Sequence, residues 1–181
     1  MSDKSFLKEW QARIGVEEAS KITNKAARRG TAVHGLLERY VLNQEIDLRK
    51  EIPFEVELFK QVQTILSPNI NDILCSEGML YSHKLKVAGS VDLVCNWKGK
   101  PAIVDFKTSL KTKRKDWITN YFLQTAMYAY MFWEMTGILC ADLIVVIAIE
   151  NSNYAQVFEE KTISWLPDVF TMCKEYHKRF G

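Results

Sequence analysis

Residues 89–109 read GSVDLVCNWKGKPAIVDFKTS, two runs rich in Val, Ile and Leu on either side of Lys98-Gly99. Such runs around a Lys-Gly pair specify a β-hairpin, because glycine accepts the positive φ that a two-residue turn requires. The turn also fixes the register. Val91 then faces Phe106, Leu93 faces Val104 and Cys95 faces Ala102, an apolar surface that belongs to a core. On the other face Ser90 meets Lys107, Val94 meets Ile103, and Asp92 meets Asp105. Directly opposed carboxylates repel. Mg²⁺ or Mn²⁺, which prefer hard oxygen ligands, would relieve that repulsion. Lys107 follows Asp105 by two residues on the same face, where it can hold a water or a phosphoryl oxygen beside the ion.

The rest of the chain supplies elements to sandwich this hairpin. Residues 17–43 have helical spacing, with a break expected near RRGT, where Gly30 ends one helix and Thr31 caps the next. FEVELFKQVQTIL, residues 54–66, is a second amphipathic helix, stopped by SPN. Strands are predicted over 73–81, 86–97 and 101–108, and a helix over 116–136. DLIVVIAIE is apolar enough to be buried on both faces of a sheet; NSN turns the chain, YAQVFEE pairs back, and a last helix starts at Ser164. Strands interleaved with helices make the fold class α/β. With 181 residues, 48% of them hydrophobic, one domain over 1–181 is expected.

A formal net charge of +2 rules out a globally basic polyanion binder, so any attraction for nucleic acid must come from local clusters. Four dispersed cysteines without a C-x-x-C exclude a zinc ribbon or disulfide framework and are read as buried free thiols. MSDKSFLKEW has no apolar signal core, and ILCADLIVVIAI is short and interrupted by Asp142, so a soluble intracellular protein without a membrane partner is expected.

Lys111, Lys113, Arg114 and Lys115 in SLKTKRKDW follow the second hairpin strand, either as an entry for a phosphate backbone or as a solvated loop. Arg28 and Arg29 form a second basic patch. Trp117, Tyr121 and Phe122 either stack on bases or belong to the core. Glu77, on the strand entering the hairpin, either adds a carboxylate or pairs with a nearby lysine, and His83 is read as a surface residue.

Asp92 in GSVD, with Asp105 and Lys107 in DFK, resembles the acidic residue and D/E-x-K pair of the PD-(D/E)XK nuclease superfamily; Val91 stands where the family name has Pro. RGTAVHGLLERY and QTAMY resemble the upstream histidine motif and the Q-x-x-x-Y motif of its RecB-like branch. FLKEWQARIGVEEASKITNKAARRGTAVH and SEGMLYSHKLKVAGSVD are similar to the mitochondrial genome maintenance exonucleases and their phage relatives, and the likeness runs over 7–128. The resemblance implies a restriction-endonuclease-like core, a central mixed β-sheet flanked by helices. It implies a metal-dependent exonuclease that hydrolyses phosphodiester bonds in single-stranded DNA with free ends, in replication, repair or recombination. A structure-specific endonuclease and a noncatalytic DNA-binding accessory subunit are the alternatives. His34, Asp92 and Asp105 would hold Mg²⁺ or Mn²⁺, Lys107 would assist the chemistry, and Gln124 and Tyr128, one helical turn apart, would position the nucleotide or water. Arg28, Arg29, Lys111, Lys113, Arg114, Lys115 and Tyr121 would contact nucleic acid. Some relatives bind an iron–sulfur cluster through one upstream Cys and a clustered trio; the trio is missing here, so no cluster is expected. Expected partners are DNA and replication or recombination proteins, in the cytoplasm of a bacterium or phage-infected host.

Overall fold

The computed structural model describes residues 4–180, with side chains from Lys8 onward. The first three residues of MSDKSFLKEW, and Gly181, lie outside the described residues. The chain runs α1 (Lys4–Ile14), α2 (Val16–Val41), α3 (Pro53–Leu66), β1 (Ile70–Ser82), β2 (Val87–Trp97), β3 (Lys100–Ser109), α4 (Thr119–Thr136), β4 (Asp142–Ile149), β5 (Ala155–Lys161) and α5 (Thr162–Phe180). The strands form one sheet in the order β1-β2-β3-β4-β5. β3 and β4 are parallel, with α4 as the crossover between them, and every other pair is antiparallel. The fold is therefore α/β with a mixed sheet flanked by helices.

The β2–β3 turn forms as expected: Lys98 at φ 49° and Gly99 at φ 81° both occupy the left-handed region. α2 and α3 cover one face of the sheet, burying Leu36, Leu37, Phe59 and Val62 against Leu93, Val104 and Ile144. α4 and α5 cover the other, burying Phe122, Met131 and Val169 against Val94, Ile103 and Val145. β4 lies between these layers, and Leu143, Ile144, Val145, Val146, Ile147 and Ala148 have no exposed surface.

β1 starts at Ile70 and α5 at Thr162, two to three residues before the expected positions, and α2 and α4 depart from expectation for local reasons. α2 does not break at Gly30. Thr31 donates its hydroxyl to the Ala27 carbonyl at 3.2 Å, one turn back within the same helix, instead of capping a new one. A mid-helix glycine costs about 1 kcal/mol, which the burial of Val33, Leu36, Leu37 and Val41 on the following turns outweighs. α4 begins at Thr119 because residues 115–117 form a separate 3₁₀ turn. The described side chains of α1, from Lys8 to Ile14, are mostly exposed, and the helix contacts α2.

One polar side chain inside the core carries an unexpected share of the construction. Gln61 of α3 is 5% exposed. Its Nε2 donates to the carbonyls of Ile149 and Ser152 at 2.9 and 2.6 Å, and its Oε1 accepts the Ile149 amide at 2.9 Å. Gln61→Leu would leave these backbone groups at the β4 end without partners, and a loss of about 2–4 kcal/mol is expected. Urea denaturation would show it as a lowered midpoint at unchanged slope. A midpoint equal to that of the parent would mean that water replaces the glutamine.

No helix among the described residues is long and apolar enough to cross a membrane.

Candidate active site

The hairpin register holds from Trp97–Lys100 to Leu93–Val104, and there the ladder stops. The pairs expected beyond it, Asp92 with Asp105, Val91 with Phe106 and Ser90 with Lys107, are not formed. The reason is local: Asp92 Oδ2 accepts the Phe106 N–H at 2.7 Å, so a side chain takes the place of a strand carbonyl. On the other side of β2, the pairing with β1 passes from Ser76–Leu93 to Gly78–Val91 and skips Glu77 and Asp92. Glu77 has φ 48°, in the left-handed region. Both strands exchange faces at this irregularity. Val91 and Val94 lie three residues apart, and Cys75 and Leu80 five apart, yet all four join the α4–α5 core. Strict alternation would place each pair on opposite faces. Val91 therefore does not share the face of Leu93.

The irregularity brings Glu77 and Asp92 to His34 of α2. His34 Nδ1 lies 3.7 Å from Glu77 Oε1 and 3.6 Å from Asp92 Oδ1. Its Nε2 is 3.0 Å from the Phe106 carbonyl oxygen. A carbonyl only accepts, so Nε2 carries a hydrogen, and Nδ1 is the ring nitrogen turned toward the two carboxylates. One ligand atom each from His34, Glu77 and Asp92 lie within 4.8 Å of one another. An imidazole oriented by a backbone carbonyl, with two carboxylates, is a donor set that suits a divalent cation. Glu77 thus faces the histidine, and among the described residues no lysine pairs with it. Burial raises its carboxyl above the ordinary range and neighbouring Asp92 adds to the rise, while His34 opposes it.

Asp105 stands beside this triad with a different partner. It is 1% exposed. Lys107 Nζ lies 2.6 Å from its Oδ1 and 2.5 Å from its Oδ2. The hydrogen bond is directed at Oδ1, and the buried Oδ2 is in ionic contact with the ammonium without an aligned hydrogen bond. Burial pushes the Asp105 carboxyl up to about 6 against the pull of Lys107, with Asp92 adding to the rise. Burial alone would lower the Lys107 ammonium, but the Asp105 carboxylate outweighs it and holds it above the ordinary lysine value.

α4 adds the last wall. Gln124 Nε2 donates to the Tyr128 hydroxyl at 2.9 Å, so the two residues do share one helical face. The Tyr128 ring lies over Gly89, where a Cβ would come within 3.1 Å of Cε1. Burial raises the Tyr128 hydroxyl above its ordinary value, with Asp105 and Asp92 contributing. The Tyr121 ring centre is 5.3 Å from Lys107 Nζ.

The basic residues are less concentrated than their spacing suggests. Arg29 is largely buried in an ion pair with Glu150 at the end of β4 and lies 5.7 Å from the Phe54 ring centre, so it ties α2 to the sheet. Lys115 pairs with Glu160 of β5, and Arg114 pairs with Asp116 at 3.0 Å. Gln156 of β5 grips the backbone of Lys113, accepting its amide at 2.7 Å and donating to its carbonyl at 3.0 Å. The amide of Lys111 bonds Ser109. This loop is drawn toward β5, the sheet edge opposite β1 and Glu77. Arg28 is exposed on α2. Of the aromatics, Phe122 is core, stacked on Trp165, while Trp117 is 62% exposed.

Residues 40–142, more than half of the chain, match the model of the PD-(D/E)XK nuclease superfamily, and the stretch contains Glu77, Asp92, Asp105, Lys107, Gln124 and Tyr128. The chain belongs to this superfamily. PD-(D/E)XK nucleases use divalent metals, in keeping with the donor set around His34. Over 112 residues, this PD-(D/E)XK chain is 28% identical to mitochondrial genome maintenance exonuclease 1 of Mus musculus, an alignment covering 60% of the chain and 33% of the relative. The chain thus spans about a third of that relative's length. A crystal structure of a candidate exonuclease from Eubacterium rectale superposes with a TM-score of 0.56 at 9% identity, over 83% of this chain and 65% of that one, which is a likeness of fold.

Proposed function

We propose that this PD-(D/E)XK nuclease is a metal-dependent exonuclease that hydrolyses phosphodiester bonds in single-stranded DNA with free ends. Its setting would be DNA replication, repair or recombination, alongside proteins of those processes, in the cytoplasm. The observation that carries the reading is the convergence of His34, Glu77 and Asp92 beside the buried Asp105–Lys107 pair.

A Mg²⁺ or Mn²⁺ ion, when bound, supplies Lewis acidity at a phosphoryl oxygen and lowers the pKa of water. His34, Glu77 and Asp92 would hold it, with Asp105 Oδ2 as a further oxygen donor. The Phe106 carbonyl keeps the His34 ring in the tautomer that donates electrons from Nδ1. Asp105 holds the Lys107 ammonium at the edge of the triad, where its charge meets negative charge growing on the phosphoryl oxygens in the transition state. Burial keeps the Tyr128 hydroxyl protonated, and because Gln124 already donates to it, its own hydrogen is free to orient a nucleotide or water. The relative named as an exonuclease supports action at ends.

The test compares linear and circular single strands of one sequence in Mg²⁺ or Mn²⁺, with EDTA as control. Loss of the linear strand with survival of the circle is expected. Rapid cutting of the circle would favour a structure-specific endonuclease. Tight binding without cutting of either would favour a noncatalytic DNA-binding subunit.

A further inference from the structure

The first half of α2 is mostly exposed. From Val16 to Arg28 it buries only Ala19. Between this half of α2 and the start of α3 runs a cleft of about 560 Å³ with two unlike walls. The α2 wall carries Lys21, Asn24, Lys25 and Arg28, and Ile52 and Phe54 face it. Lys25 and Arg28 make no ion pair among the described residues, and Lys21 has only an exposed pairing with Glu17 one turn back, which solvent screens. Among the described residues Glu55 is the one carboxylate in the lining. Ile52 is 59% exposed, more than a core contact needs.

We propose that this cleft is the binding track for the unreacted part of a single-stranded nucleic acid, with phosphates on Lys21, Lys25 and Arg28 and bases on Ile52 and Phe54. The inference rests on the nuclease reading and names where the site holds its substrate. A single strand has a charged edge and an apolar edge, and these two walls match it; a duplex buries its base faces and has no use for the apolar wall. Position agrees with charge. Lys21 lies thirteen residues before His34 on the same unbroken helix, about 20 Å along the axis. A second cleft of about 450 Å³, lined by Gly30, Thr31, His34, Gly35, Glu38 and Glu77, lies farther along the same helix. By contrast, the basic loop after β3 is drawn to β5, with Lys115 paired to Glu160 and the Lys113 backbone held by Gln156.

The test measures binding of fluorescent oligodeoxythymidine by anisotropy in EDTA, over a series of salt concentrations, so that it does not depend on cleavage. The triple change Lys21→Gln, Lys25→Gln and Arg28→Gln should weaken binding at low salt by at least about tenfold and make the log K against log salt slope shallower by about 2. The double change Lys113→Gln and Arg114→Gln should do less on both measures. Glutamine keeps helix propensity, and circular dichroism checks that α2 persists. Binding and slope equal to the parent in the triple variant, a larger loss in the loop variant, or no binding by the parent would each overturn the track. Unaltered binding by the triple variant with intact end-dependent cleavage removes the track alone; track-dependent binding without any cleavage removes the exonuclease reading alone.

Discussion

Asp92→Asn is expected to leave a folded protein that binds DNA and does not cut it. The two oxygens of Asp92 have separate tasks: Oδ2 accepts the Phe106 N–H, and Oδ1 faces His34. The amide oxygen of asparagine can still accept from Phe106, so the opening between β2 and β3 survives. The negative charge offered to a cation does not. Turnover in Mg²⁺ should fall by at least about 10²–10³-fold, while affinity for DNA holds or rises, because a carboxylate that repels phosphate has gone. Asp92→Ala makes a useful contrast. It strands the Phe106 amide as well, and should cost a further 1–3 kcal/mol or about that in stability, read as a lowered melting temperature. Undiminished turnover in Asp92→Asn would remove Asp92 from the site.

Lys107→Met should show the opposite division between chemistry and binding from an ordinary phosphate contact. The ammonium is fixed against a buried carboxylate, and its tether leaves it little freedom to follow a ground-state substrate. Its value therefore lies in the transition state, and kcat should drop by about 10²–10³-fold with KM nearly unchanged. The change also leaves Asp105 buried without its counter-charge, which favours protonation of a carboxyl that burial already raises to about 6. A companion variant, Lys107→Met with Asp105→Asn, removes that stranded charge. Thermal stability should recover in the double variant and turnover should not. If KM alone rose in Lys107→Met, the residue would be a binding contact, and its assigned part in catalysis would be withdrawn.

Much of the fold can be read in the chain because hydrophobic period and turn chemistry agree there. The Lys98-Gly99 turn and the pairing up to Leu93–Val104 follow from two-residue hairpin geometry, and the unbroken apolar run of β4 follows from burial on both faces. The site itself departs from those regularities. Perfect alternation sets Asp92 against Asp105, whereas in the molecule Asp92 captures a backbone amide, the strands part, and Glu77 becomes its neighbour. A signal was present. Glu77-Gly78 interrupts a strand, and Cys75 with Leu80, like Val91 with Val94, have odd spacings between residues of one core. The commitment of Arg29 to Glu150 had no such trace, since the two come together only when α2 docks at the end of β4.

Phe106 is held at both ends of its own backbone by side chains: Asp92 takes its N–H and His34 its carbonyl. Neither bond belongs to the sheet ladder. A ligand that draws charge from the aspartate and the imidazole must change both at once, on a residue whose ring stays in the core, edge-on to the His34 imidazole. The peptide of Phe106 is thereby a strain gauge wired to the site, and its amide resonance offers a way to watch occupancy from a position that no substrate can cover.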